Sequence, residues 1–266
     1  MRIMRFSPVQ RIFHALLMLS FLWLSATGVA RLYPHTAFGN SLGALFGGYE
    51  GSLAAHKIGG VVLLILFVAH FVYLAVVGRC SLSGPDSLLP CRSDAAHFIQ
   101  HVKWMLGFGP LPRFDRWGYW EKFDYWAVFW GMAIIGGTGL ILMFPVSAAT
   151  IMDGRWINVA RWVHRLEALL AMGHIFVIHF FIGHLRPACF PMDTTIFEGS
   201  TDIGHLRHEK AAWVERLRAE GRMAALQTGP PSPALRVSAF VLGFAAMAVG
   251  VYLLVSGLRY FPFISW

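Results

Sequence analysis

The chain has 266 residues, of which 56% are hydrophobic and only 14% charged, and its formal net charge is +8. A mean hydropathy of +0.57 excludes a soluble globular domain and points to a polytopic membrane protein. The basic excess then reflects topology and contact with anionic lipid, and nucleic acid is not needed to explain it.

Five apolar stretches are long enough to cross a bilayer, at about 12–30, 56–77, 123–145, 162–183 and 236–258. The first follows Arg2, Arg5 and Arg11 and has no small-residue cleavage signature after it, so it reads as a retained span and not as a removed signal peptide. Segment 31–54, rich in glycine and in aromatics such as Tyr33, Phe38, Phe46 and Tyr49, reads as an interfacial loop. Segment 93–107 opens on Ser93 and Asp94 and reads as an amphipathic helix lying on the membrane, ended by the Gly109–Pro112 stretch. Segment 205–226 is polar, with Glu209, Lys210, Glu215, Arg216 and Arg218 spaced for pairs along a helix. Pro230, Pro231 and Pro233 close it before the fifth span.

Basic residues concentrate before span one, between spans two and three (Arg79, Arg92, Lys103, Arg113, Arg116, Lys122) and between spans four and five (Arg186, Arg207, Lys210, Arg216, Arg218, Arg222). That bias predicts a cytoplasmic N-terminus and an outside C-terminus. Cys80, Cys91 and Cys189 then face a reducing compartment, where disulfides are not expected. No C-x-x-C-H occurs, so no covalently attached haem is encoded.

The histidines carry the chemistry. His56 and His70 share span two, and His164 and His179 share span four. Fourteen and fifteen helical steps are roughly 21–23 Å of rise, most of a bilayer's hydrocarbon thickness, and return the side chain to within about 40° and 60° of its starting direction. Each helix thus offers one imidazole near each membrane face, both pointing roughly the same way. A lone intramembrane histidine is more often an interhelical hydrogen-bonding group than a ligand. Seven of them (His14, His56, His70, His164, His174, His179, His184) in or at the ends of four spans is a costly load that metal ligation offsets. Two such helices facing each other make bis-histidine clamps, which two haems need. His56 and His164 would form one clamp. His179 supplies one side of the other, opposite His70 or His14. On an α-helix His184 is rotated about 140° from His179 and cannot share its face; the six candidate ligands allow two haems with spare histidines, or three. His174 reads as structural, and His35, His97, His101, His205 and His208 as solvated.

RIFHALLMLSFLWLSATG at 11–28, HKIGG at 56–60, GYWEKFDYWAVFWG at 118–131, TGLILMFP at 138–145 and HRLEALLAMGHIFVIHFFIGHLRPACFPMD at 164–193 resemble the di-haem cytochrome b (gamma) subunit of membrane formate dehydrogenases and related periplasmic oxidoreductase complexes. The resemblance spans about 11–195 and leaves span five outside. It implies His14 and His179 as axial ligands of a cytoplasmic-side haem b, and His56 and His164 of a periplasmic-side one. His70 and His184 have no ligand counterpart in that subunit. The His164–His179 spacing is one residue longer here, which predicts a bulge or a slightly altered tilt between the two. The stretch that helps form the family's quinone pocket reads Trp117-Gly118-Tyr119-Trp120-Glu121-Lys122 here, which makes Tyr119, Trp120, Glu121 and Lys122 the candidate quinone contacts.

The expected fold is all-α: an integral membrane bundle with a four-helix haem-binding core and a fifth, C-terminal span. Its expected divisions are 1–195, a helical excursion at 196–235, and 236–266 with a periplasmic tail. The expected function is electron transfer across a bacterial inner membrane between menaquinone or ubiquinone and a periplasmic partner, through two haems or three. The partner would be a multihaem c-type cytochrome or an iron–sulfur or dehydrogenase subunit docking on 31–54, 147–161 and Tyr260–Trp266. Lys57, Arg161 and Arg165 are candidates to neutralise propionates at one haem, and Arg11, Lys122 or Arg186 at the other. Glu121, His184 and Asp193 are candidates to handle protons. The rival readings are a haem reductase with a cytoplasmic small-molecule donor and a transporter with proton-relay histidines.

Overall fold

The computed structural model describes residues 1–77 and 84–264; Arg79, Cys80, Ser265 and Trp266 lie outside them. All five expected spans are helices, each longer than its apolar stretch: α1 (Pro8–Leu32), α3 (Gly48–Val77), α5 (Tyr119–Met143), α7 (Gly154–Gly173, continuing to Leu185) and α12 (Pro233–Arg259). The extra turns come from polar caps that hydropathy does not see. Ahead of α1, Ser7 Oγ accepts from the Gln10 amide and Gln10 Oε1 from the Ser7 amide, a reciprocal cap with Pro8 at the first helical position. Asp153 caps α7 through the Arg155 amide, and Ser232 caps α12 through the Leu235 amide.

The loop expected at 31–54 is instead largely helical. Thr36 accepts from the Gly39 amide and starts α2 (Ala37–Ala44), and α3 already begins at Gly48. The amphipathic segment at 93–107 is α4 (Arg92–Met105), none of whose residues is buried. A short α6 (Pro145–Ala149) precedes α7, and the polar excursion folds as α8 (Thr195–Glu198), α9 (Ile203–Glu209), α10 (Ala211–Ala219) and α11 (Met223–Leu226). The fold is otherwise all-α but carries one small antiparallel sheet, in the order β2–β1–β3, from β1 (Arg2–Met4), β2 (Ser200–Asp202) and β3 (Gln227–Thr228).

Span four departs from α geometry; of the two expectations raised by its one-residue excess, a bulge or an altered tilt, the helix shows the first. Its last turns, His174–His179 and Phe181–Leu185, are π-helical, with hydrogen bonds reaching one residue further than in an α-helix.

The chain gathers into two compact units. The first collects Met1–Arg11, His70–Phe129 and Thr195–Arg236, so the excursion at 196–235 folds with two other stretches; the second collects Ile12–Ala69, Trp130–Thr194 and Val237–Trp266. In the first unit Ile3 of β1 is fully buried against Leu206, Trp213, Val214 and Leu217. In the second, Val29 of α1, Tyr33 just after it, Phe38 and Leu42 of α2, Phe176 and Phe180 in the last turns of span four and Leu253 of α12 share one core. Gly250 lets α12 lie against those turns: a Cβ there would come within 2.7 Å of the Phe176 ring and 2.8 Å of Phe180.

Candidate functional site

Two pairs of imidazoles meet across helices in the second unit. The His56 ring on α3 and the His164 ring on α7 have centroids 6.2 Å apart, and those of His14 on α1 and His179 on the π segment are 6.5 Å apart. A transition metal sits about 2.0–2.1 Å from an imidazole nitrogen, and that nitrogen lies about 1.2 Å from its ring centre, so two imidazoles on opposite sides of one metal have centres about 6.4 Å apart. Both pairs stand at that separation.

At the first pair the hydrogen bonds fit ligation as well. His56 Nδ1 lies 2.9 Å from Thr27 Oγ1, and His164 Nδ1 lies 3.1 Å from Thr138 Oγ1 and 3.1 Å from the Ile135 carbonyl. A carbonyl only accepts, so His164 carries its proton on Nδ1 and keeps the Nε2 lone pair for a metal.

The second pair has a third neighbour. The His184 ring stands 6.4 Å from that of His179, which corrects the expectation that the two cannot share a face. The 140° offset holds for an α-helix; with bonds running to the fifth residue, five steps return nearly to the starting direction. Among the described residues no hydrogen-bonding group meets the buried Nδ1 of His184.

A family model for prokaryotic cytochrome b561 matches residues 5–193. The chain belongs to the prokaryotic cytochrome b561 family. It is therefore a multi-pass membrane b-type cytochrome that transfers electrons through b haems, which sets aside the transporter reading. The matched range nearly coincides with the 11–195 covered by the motifs. A comparison with curated proteins finds no match.

The remaining candidates of this b561 chain fall elsewhere. His70 lies in the first unit, its Nε2 2.9 Å from Tyr125 Oη and its ring against Tyr73 and Phe129; an aromatic cluster stands where a second imidazole was one alternative. Glu121 and Lys122 do not pair with each other. Glu121 is ion-paired with Arg5 and with the buried Lys210, whose ammonium burial pushes down to about 8 against the pull of Glu121. Lys122 Nζ holds Asp94 at 2.9 Å and approaches Cys91 Sγ at 3.4 Å. Burial opposes ionisation of Asp94, but the Cys91 amide and the Lys122 ammonium outweigh it and hold the carboxyl below its usual range. Tyr119 Oη lies 3.0 Å from His101 Nδ1, and the Trp120 ring packs on Phe114 at 4.5 Å. His101, expected in a solvated loop, is enclosed by Trp104, Phe114, Tyr119 and Trp120. Of the cations considered for propionates, Lys122 is held as above, Arg161 bonds Asn158 at 3.0 Å, and Arg186 Nε donates to the Ile182 carbonyl at 2.8 Å. Arg11, one turn before His14 on α1, keeps a buried Nε that meets no hydrogen-bonding group among the described residues. Thr27 and Thr138 were not anticipated from the sequence.

Proposed function

We propose that this chain is the membrane electron-transfer subunit of a respiratory oxidoreductase complex, linking the quinone pool to a periplasmic redox partner through two b haems. The reading rests on the two cross-helix imidazole pairs, His56–His164 at 6.2 Å and His14–His179 at 6.5 Å. A haem held by His56 and His164, and another held by His14 and His179, would supply one-electron transfer.

Distance alone does not choose between His14 and His184 as the partner of His179. The backbone favours His14, because a planar macrocycle needs room on every side of its metal. Two rings one π turn apart on the same helix do not leave it, whereas α1 and α7 face each other as separate walls. His70 is assigned to the Tyr125 cluster and not to iron.

The basic bias of the loops supports an inner-membrane orientation with the N-terminus in the cytoplasm and the C-terminus outside. His14 and His179 then serve the cytoplasmic-side haem, and His56 and His164 the periplasmic-side one. We assign the quinone contact to the Tyr119–Lys122 stretch, narrowed to Tyr119 and Trp120 beside His101, because the charged ends of Glu121 and Lys122 are already engaged. The outward face for a partner subunit is assigned to 31–54, 147–161 and the tail from Tyr260, where Leu45, Ile151, Trp156 and Phe263 stand exposed. Large bare apolar side chains at loop level suit a protein contact.

A pyridine haemochrome assay should count two non-covalent haems per chain. His56→Ala and His164→Ala should each delete the same component from the reduced-minus-oxidised spectrum and spare the other. Loss of different components, or a count of three, would overturn the pairing.

A further inference from the structure

The His56–His164 pair is supported twice over by the same local device. Thr27 on α1 and Thr138 on α5 each place a hydroxyl against the Nδ1 of one ring, and each is followed by a glycine. Thr27 Oγ1 also donates to the Trp23 carbonyl at 2.8 Å, and Thr138 Oγ1 to the Ile134 carbonyl at 2.7 Å, four residues back in both helices. Threonines in apolar helices commonly bond back in this way. Here the bond has a consequence, because a hydroxyl has one hydrogen and in both residues it is already given away. The oxygen can only accept from the imidazole, so each Nδ1 must carry a proton. The carbonyls three residues before the threonines enforce the same state: Ile135 accepts from His164, and Leu24 stands in the same relation to His56.

The glycines complete the match. A Cβ on Gly28 would lie 3.3 Å from His56 Cε1, and one on Gly139 would lie 3.2 Å from His164 Cε1. Each ring is thus seated on a helix surface bared by glycine and held at one edge by the preceding threonine. The α1–α3 and α5–α7 hairpins repeat this arrangement with different surrounding sequence.

We propose that Thr27-Gly28 and Thr138-Gly139 are paired positioning residues of one haem, fixing the tautomer and ring angle of its two ligands and lowering its reduction potential. The inference rests on ligation by His56 and His164. An Nδ1–H that donates to a good acceptor makes its imidazole a stronger donor to the metal, and stronger donation favours the oxidised metal. Thr27 and Thr138 bond the two rings of the His56–His164 pair, so the effect should fall on that haem.

Thr27→Val and Thr138→Val, purified with haem bound, should each shift one component of a potentiometric titration to a more positive midpoint and leave the other in place. The component must be the same in both variants, and it must be the one that His56→Ala deletes. Thr27→Ser and Thr138→Ser should restore the midpoint, since serine keeps the oxygen. Gly28→Ala and Gly139→Ala should change the low-spin electron paramagnetic resonance signal of that same haem by turning the ring. If a valine variant sheds its haem while the serine variant keeps it, the positioning role stands. Unchanged midpoints in both haem-replete valine variants would overturn the proposal and leave the ligand assignment standing. Retention of both haems by His56→Ala would instead overturn the ligation on which it rests.

Discussion

At the scale of single residues, His14 and His70 are set apart by what each ring meets. His70 has the depth and the phase on α3 that a helical wheel asks for, yet its Nε2 faces the Tyr125 hydroxyl at 2.9 Å. His14 meets His179 on another helix. We therefore expect His14→Ala and His179→Ala to abolish the same spectral component, whereas His70→Ala keeps two haems per chain in the haemochrome assay. Loss of a haem from His70→Ala would reverse the assignment. The His56–His164 contact was legible in the sequence because α-helical periodicity holds through both helices at those positions. The nearness of His184 to His179 was not, because a wheel assumes a hundred degrees per residue and the π turns break that assumption. Thr27 and Thr138 were not legible either. A threonine in an apolar helix ordinarily satisfies itself on its own backbone, and only the neighbouring helix reveals that the oxygen has a second partner. His101 was read as solvated because its segment is polar, and the aromatic rings that enclose it come from residues up to nineteen positions away in sequence.

At the scale of elements, the five spans were legible because burial in hydrocarbon demands long apolar runs, and their ends were not because caps such as Ser7–Gln10 are polar. The most informative element is the π segment. His164 and His179 are fifteen residues apart, which on an uninterrupted α-helix would turn His179 about 60° from the phase of His164. Bonding that reaches one residue further absorbs the excess and brings His179 to His14. Deleting the exposed Val177 removes one residue from that segment, so the shortened helix should hold His179 in phase by ordinary α bonding. The variant is expected to keep both haems in the haemochrome assay. Inserting an alanine after Val177 instead turns His179 by about 100° and should cost the haem that His14→Ala costs. Equal loss from deletion and insertion would mean that the π geometry itself, and not the phase it restores, is required.

At the scale of the whole molecule, the first unit is stitched from three distant stretches of the chain. That stitching was not legible in the sequence. Strands of two or three residues carry no alternation to detect, and the amino-terminal residues read only as a basic preamble to the first span. The structure places Ile3 at the centre of the first unit, fully buried with Leu206, Trp213, Val214 and Leu217, and β1 is the strand that both β2 and β3 pair with. Arg2 adds an ion pair with the buried Glu198. Removing the buried isoleucine side chain should cost about 2–5 kcal/mol, and a carboxylate in its place would be buried without a partner, which costs more. Ile3→Asp should therefore free the 200–228 stretch, which limited proteolysis would register as faster cleavage between β2 and β3. Ile3→Val, which keeps the shape of the site, should be cleaved at the wild-type rate. If Ile3→Asp is cleaved no faster than the parent chain, the amino-terminal strand is not what holds this unit together.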